Sequence, residues 1–391
     1  MQVPEEEAVI VRMRCYVAAL AIFASLAAAP SASASTATDD ADRALDRALQ
    51  KVVDAKGGPP GVISVVQRGT KTYVARAGVS EIDGKAPRPN ESMRLASTSK
   101  AFSGAVALAL VQEGKLELDD TVGELLPKLP KAWAKVTLRQ VLSHTSGIPT
   151  FTKSKDFLDA LTADPTKGPS DQAQLLSYVK GEPLEFKPGT AYEYSNSDNI
   201  VVALMAEEVT GRPYRAALKR YVFRPLGLRR TAFPDSVNMP APFMHGYDTE
   251  DPSKPEDISE IVDPEWTGAS GGLVSTPLDL NEFARGYVGL GLFGRKVRNE
   301  QFEFVKGGSE PPGPGRNMAG AGIFQYRTSC GTVYGHTGNI FGYTQFFAAT
   351  KNGKRSVTVS ATSQLSSDVN GKVFKVLLKA DEKAVCAALA R

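Results

Sequence analysis

The chain has 391 residues, enough for one large or two modest domains and too many for a single small core. Its 42% hydrophobic and 23% charged residues are those of a globular protein and exclude collagen, coiled coil and wholesale disorder. A net charge of +3 offers no basis for a nucleic-acid partner or a polybasic membrane footprint, and three Cys with three His, in no CxxC or HExxH spacing, exclude zinc-finger and zincin sites.

In chain order, residues 15–29 are uncharged and mostly apolar, preceded by Arg12 and Arg14 and followed by Ala32-Ser33-Ala34. This pattern predicts a cleaved secretory signal peptide over residues 1–34, its apolar run too short to span a membrane. Glu5, Glu6 and Glu7 lie upstream of the basic pair, so Met1 and Met13 are both possible starts. Cleavage would leave 357 residues with net charge +4 and only Cys330 and Cys386 as cysteines. An exported pair invites a disulfide, two separate buried thiols being the alternative. Closing a 56-residue separation would stabilise the fold by at most roughly 4 kcal/mol.

After a polar linker at 35–40, residues 41–53 read as an amphipathic helix, ended by Gly57-Gly58-Pro59-Pro60. Residues 61–67 and 72–77 read as a β-hairpin around Arg68-Gly69-Thr70. Residues 101–112 form a small, apolar helix closed by Gly114. Helical patterns follow at 156–163, 171–180, 199–209 and 214–222, with a capping box from Thr137 to Gln140. Thr276-Pro277 is an N-cap with Pro at the first helical position, after a Gly-rich run at 268–272. Residues 307–315 read as a flexible loop without chemistry. Strands are expected at 321–325, 331–336, 343–349 and 356–361, and a closing helix at 372–389. Strands at both ends with helices between predict one sheet built from both termini, with a helical insertion.

Three short motifs can carry chemistry. In Ser97-Thr98-Ser99-Lys100 the three-residue spacing puts Ser97 and Lys100 on one helix face, where an amine can activate a hydroxyl; alternatively Ser97 is only an N-cap. Tyr194-Ser195-Asn196 supplies a phenol for proton transfer and an amide for a substrate carbonyl. Ser197-Asp198-Asn199 directly after it spells the SDN triplet of class A β-lactamases; its plain reading is a helix N-cap, because Asn199 begins an apolar-periodic run. In His336-Thr337-Gly338, Gly338 clears a strand edge for an extended substrate, and His336 or Thr337 can meet a carboxylate.

The three in this order resemble the serine penicillin-recognising family, in its class C β-lactamase and D-alanyl-D-alanine carboxypeptidase branch. The resembling phrases also include Val141-Leu142-Ser143-His144-Thr145-Ser146-Gly147, the run from Phe186-Lys187-Pro188-Gly189 into Asn196, Gly271-Gly272-Leu273-Val274-Ser275-Thr276 and residues 335–343. HTG in place of KTG, the secretory pattern and the two cysteines look most like the secreted carboxypeptidases.

The resemblance implies an α/β (α+β) fold of β-lactamase/transpeptidase type: an antiparallel sheet domain from 35–98 and 267–391, flanked by helices, a helical domain at 99–266 and the active site between them. It implies Ser97 as the acylated nucleophile, with Lys100 and Tyr194 sharing its proton and the acylation base undecided between them. Asn196 would hold the substrate amide, the backbone N–H groups of Ser97 and Asn339 would form the oxyanion hole, His336 and Thr337 would meet the substrate carboxylate beside Gly338, also substrate-binding, and Trp266 would wall the cleft. His144 reads as structural. Two departures bear on substrate. Asn339 stands where carboxypeptidases tend to have a hydroxyl residue, and Arg327 is the only guanidinium candidate for a terminal carboxylate. The expected protein is an exported, cofactor-free serine hydrolase, acting on D-Ala-D-Ala stem peptides of peptidoglycan. β-Lactamase, esterase and D-amino-acid peptidase are alternatives on the same site, and a non-catalytic β-lactam or wall-fragment binder is the rival from another class. A small peptide or β-lactam is the expected partner, with no nucleic acid, no metal and no stable membrane anchor after cleavage, and the chain is expected to act as a monomer.

Overall fold

Seven strands from the two ends of the chain make one antiparallel sheet. They are β1 (Gly61–Arg68), β2 (Lys71–Gly78), β3 (Arg316–Gly320), β4 (Ile323–Thr328), β5 (Gly331–Ile340), β6 (Tyr343–Ala349) and β7 (Arg355–Ala361), in the order β2-β1-β7-β6-β5-β4-β3. The structure, a computed structural model, describes residues 31–391 except 290. Up to residue 30 the expected signal peptide lies outside the described residues. The chain divides into two compact units, Met1–Asp40 with Arg391 and Ala41–Ala390, and the second holds the sheet and the candidate site. Among the described residues no helix is long and apolar enough to cross a membrane.

The main helices are α1 (Ser31–Val53), α2 (Ser99–Gln112), α3 (Lys155–Ala163), α4 (Asn196–Thr210), α5 (Pro277–Val288) and α6 (Gly371–Leu389). Side chains alternate across the sheet, as the two-residue strand period dictates. Val62 and Val66 of β1 and Phe346 of β6 pack with Leu45, Leu49 and Val52 of α1 and Phe374 and Leu377 of α6. Ile63 and Phe347 face the other way, into the core of α2 and α5. There Phe102 stacks on Phe283 at 3.6 Å, and Phe283 meets Phe347 edge-on at 5.6 Å. α2 is buried from Ser99 to Leu110, which accounts for its nearly unbroken small, apolar sequence.

Several elements depart from expectation. α1 begins at Ser31 and runs through the expected linker, although Ser, Thr and Asp outnumber its one alanine there. Residues 172–178 form a 3-10 turn capped by the Asp171 side chain. β3 was not foreseen: Arg316-Asn317-Met318-Ala319-Gly320 has no β-branched residue, and pairing with β4 makes it a strand. The Thr137 capping box and the Thr276 cap form as read. Cys330, in the β4–β5 turn, and Cys386 of α6 are joined in a disulfide, so they are not two separate thiols.

Candidate active site

Ser97 sits where a strand turns into α2. Met93–Arg94 pairs with Val274–Ser275, and the Leu95 N–H donates to the Leu273 carbonyl at 2.8 Å. Ala96 then adopts φ +52°, a left-handed conformation that non-glycine residues rarely take. The chain continues through the 3-10 turn Ala96–Thr98 into α2. No side chain caps α2, so Ser97 is not a helix cap; its Oγ lies 3.0 Å from Lys100 Nζ. β5 packs directly behind this turn. A Cβ on Gly338 would come within 2.7 Å of the Ser97 nitrogen and 2.8 Å of the Thr98 nitrogen. Glycine here makes room for the serine turn, whereas the sequence suggested room for substrate.

Lys100 is 1% exposed, and its Nζ also donates to Asn196 Oδ1 and to the Ser270 carbonyl, both at 2.7 Å. Burial pushes its pKa down to about 7, with Glu310 and Asp198 pulling the other way. Tyr194 stands over the ammonium, its ring centroid 5.0 Å from Nζ. Its hydroxyl is buried, with the Ser97 hydroxyl beside it and no better-formed hydrogen bond among the described residues. Burial raises this phenol well above its ordinary pKa, while the neighbouring Ser97 hydroxyl acts in the opposite sense. Asn196 begins α4, and its Nδ2 donates to Thr152 Oγ1 at 2.9 Å and Thr150 Oγ1 at 3.2 Å. Nothing in the sequence marked Thr150 and Thr152 as supports of Asn196, or Ser270 as a partner of Lys100.

The SDN triplet is neither a cap nor a wall of the cleft. The cap position of α4 is Ser195, and Ser197, Asp198 and Asn199 are buried within its first turn. Ser197 Oγ donates to the Pro149 carbonyl at 2.6 Å, Asn199 Nδ2 donates to Ser103 Oγ at 2.8 Å, and Asp198 receives Ser146 Oγ. His144 Nδ1 lies 3.0 Å from Asp198 Oδ2, and its ring is 4.5 Å from that of Tyr194. Burial drives both members of this pair toward their uncharged forms, His144 downward and Asp198 upward. The 144–152 segment thus grips residues 193–196 from below, as the structural reading of His144 anticipated.

The strand motif departs most from expectation. His336 and Thr337 do not line the cleft. His336 is 1% exposed, and its Nδ1 bonds to the Thr337 carbonyl. Burial, then the Lys100 charge, holds this imidazole well below its usual pKa, so it is neutral and offers no charge to a carboxylate. Thr337 Oγ1 donates to the Pro311 carbonyl. Asn339 and Trp266 do line the cleft, Trp266 donating its Nε1 proton to the Asp164 carbonyl at 3.2 Å. Arg327 is absent from the lining; it bonds Gln325 Oε1 at 2.7 Å, within β4. The loop read as lacking chemistry supplies Glu310, Pro311 and Pro312 to the cleft wall.

The resulting cleft, of about 610 Å³, brings a hydroxyl, a buried amine of depressed pKa and a buried phenol to one point. Those are the parts that covalent acyl transfer needs. No group of three or more His, Cys, Asp or Glu placed to hold a metal ion occurs among the described residues.

Residues 45–380 match the family model described as Beta-lactamase. The chain belongs to this family. Its fold is that of β-lactamases and transpeptidases. A D-stereospecific amidohydrolase from Streptomyces sp. is 28% identical, over 85% of this chain and 97% of that one, with a TM-score of 0.74. The D-amino acid amidase from Ochrobactrum anthropi SV3 shares the fold, at 22% identity over 89% of this chain and 98% of that one, with a TM-score of 0.75. Protein flp of Staphylococcus aureus is 28% identical over 229 residues, 56% of this chain and 44% of the relative, so the chain matches less than half of that protein's length.

Proposed function

We propose that this family member hydrolyses D-configured amide or peptide bonds through an acyl-enzyme on Ser97. The observation that carries the reading is Lys100 Nζ, buried, with a pKa near 7 and 3.0 Å from Ser97 Oγ. In its neutral form the amine has two N–H donors. The two shorter bonds, to Asn196 and Ser270, use both and turn the lone pair toward the serine hydroxyl. Lys100 is then the acylation base: as Ser97 Oγ attacks the carbonyl carbon, its proton passes to the amine. Tyr194, a neutral phenol by its raised pKa, relays a proton to the leaving amine. The acyl-serine ester remains until water, with the same two groups handling its proton, releases the acid. The backbone N–H groups of Ser97 and Asn339 serve as the oxyanion donors, a role worth about 2.7–4 kcal/mol per donor in other enzymes.

D-Configuration rests on the similarity to the amidohydrolase and the amidase. D-Ala-D-Ala carboxypeptidase action is the second reading, favoured by the order of the motifs and by the disulfide. It needs a cation for the terminal carboxylate, and no Lys or Arg is on the cleft wall while His336 is neutral. The same site would accept a β-lactam or an ester at its carbonyl. The signal pattern at residues 1–34 and the disulfide support export and a working place outside the cytoplasm. The test is a parallel assay of the purified protein on a D-amino-acid amide, a diacyl-Lys-D-Ala-D-Ala peptide, nitrocefin and a short ester. Amide turnover lost in Ser97→Ala supports the reading; D-Ala release as the fastest reaction would give the second reading precedence.

A further inference from the structure

The charged side chains on the cleft wall are two carboxylates, Glu310 and Asp368. Neither is in an ion pair with a cation among the described residues. The positive charge acting most strongly on Glu310 is Lys153, which is bonded to Glu193 at 3.1 Å, and the next, Lys100, is taken up by Ser97, Asn196 and Ser270. Asp368 adds a like charge that acts on Glu310. Glu310 lines the same cleft as Ser97 and Tyr194, and its negative charge acts on Lys100.

Its loop is tethered on both sides. Tyr192 donates its hydroxyl proton to the Gly308 carbonyl, and Ser309 Oγ lies 3.0 Å from the Tyr326 hydroxyl. Beyond Glu310, Thr337 holds the Pro311 carbonyl, and the Gly313 N–H donates to Asn317 Oδ1 at 2.9 Å. A carboxylate fixed in advance loses little freedom on binding a cation.

Another wall of the cleft is apolar, with Phe157, Leu158 and Leu161 of α3 beside Val262 and Trp266. Leu158 is 47% exposed and Phe341, also on the lining, 41%, although large apolar side chains are ordinarily covered. Independently, Tyr194, a residue 4% exposed, is on this lining, and its buried hydroxyl has only the Ser97 hydroxyl as a polar neighbour, leaving hydrogen-bonding capacity for a ligand to satisfy.

We infer that the preferred substrate is an apolar D-amino-acid amide or ester with a free α-ammonium, Glu310 binding the ammonium with help from Asp368 and the side chain resting on Phe157, Leu158, Leu161 and Trp266. The inference rests on the serine-hydrolase reading above and deepens it. Acylating or removing the amine takes away the group that the carboxylates recognise, and a substrate carboxylate brought to them meets like charge.

The experiment measures kcat/KM for D-phenylalaninamide, N-acetyl-D-phenylalaninamide and D-alaninamide with the wild type, Glu310→Gln, Glu310→Lys and Leu158→Asp. A Ser97 adduct with a fluorescent penicillin is scored in parallel for the wild type. The wild type is expected to prefer the free amine over its N-acetyl form by about 100-fold. Glu310→Gln should shrink that ratio at least about tenfold, Glu310→Lys should shrink it further, and Leu158→Asp should shrink the ratio of D-phenylalaninamide to D-alaninamide. Equal use of the free and acetylated amides, or a ratio unmoved by both Glu310 variants, overturns the inference. If that happens while Ser97 is labelled, the serine-hydrolase reading stands alone; absence of the adduct together with absence of amide turnover removes both.

Discussion

On the helical side of the cleft, Ser97, Lys100, Tyr194 and Asn196 converge through their side chains. On the strand side, His336 and Thr337 turn theirs into the protein, and Gly338 and Asn339 are the residues that bear on Ser97 and the cleft. The helical side holds an ionisable group in a costly place: an amine with almost no solvent contact, its pKa lowered by burial toward neutrality. The strand side holds shape, a backbone pressed so close to the serine turn that only glycine fits. Chemistry therefore depends on side-chain identity on one side and on bulk on the other, and substitutions can separate the two.

Lys100→Met keeps the length and removes the amine. It should lower kcat/KM for an amide substrate by about 10³-fold or more, the scale of a lost base at an activated nucleophile. Retained folding, checked by near-UV circular dichroism, makes the loss chemical. Gly338→Ala should lower turnover about 10- to 100-fold and stability by about 1–3 kcal/mol, because the new methyl pushes the serine turn from its place. Urea unfolding and steady-state kinetics on the same sample read both effects.

The pH profile sharpens the contrast further. With a pKa of about 7 for Lys100, the reactive amine form is the minority below that value and the majority above it. The acylation rate should therefore rise with pH through about 7, falling roughly tenfold per unit below it. His336, held neutral by burial, should add no second limb, so acylation by an anionic ester should not weaken as pH passes through the ordinary imidazole range. Stopped-flow acylation from pH 5 to 9 checks both expectations. The smallest effect on turnover is expected from Cys386→Ser, far from the cleft in its consequences: kcat within about twofold, with stability reduced by about 2–4 kcal/mol.

What could be read from the sequence follows the same division. Ser97 and Lys100 were legible because three residues along a helix define one face. Tyr194 and Asn196 were legible from the phrase leading into them. The sheet was legible from its alternating and β-rich runs, except β3, whose residues become a strand only through pairing with β4. The HTG letters misled, because a strand motif says nothing about which side chains a neighbouring loop will cover; Thr337 is held by the Pro311 carbonyl. The SDN triplet read as a cap because the apolar period starts at Asn199, but Asn196 to Asn199 already sit in the first helical turn, with Ser195 as the cap. Thr150, Thr152, Glu310 and Asp368 reach the site from segments with no periodicity, brought there by tertiary packing that local pattern does not encode.

The most direct measurement is peptide mapping by mass spectrometry after a brief exposure to a fluorescent penicillin, on the wild type and Ser97→Ala. The account predicts one equivalent of the opened β-lactam on the peptide containing Ser97 in the wild type and none in the variant. A covalent adduct on any other residue, or one that persists in Ser97→Ala, would contradict it.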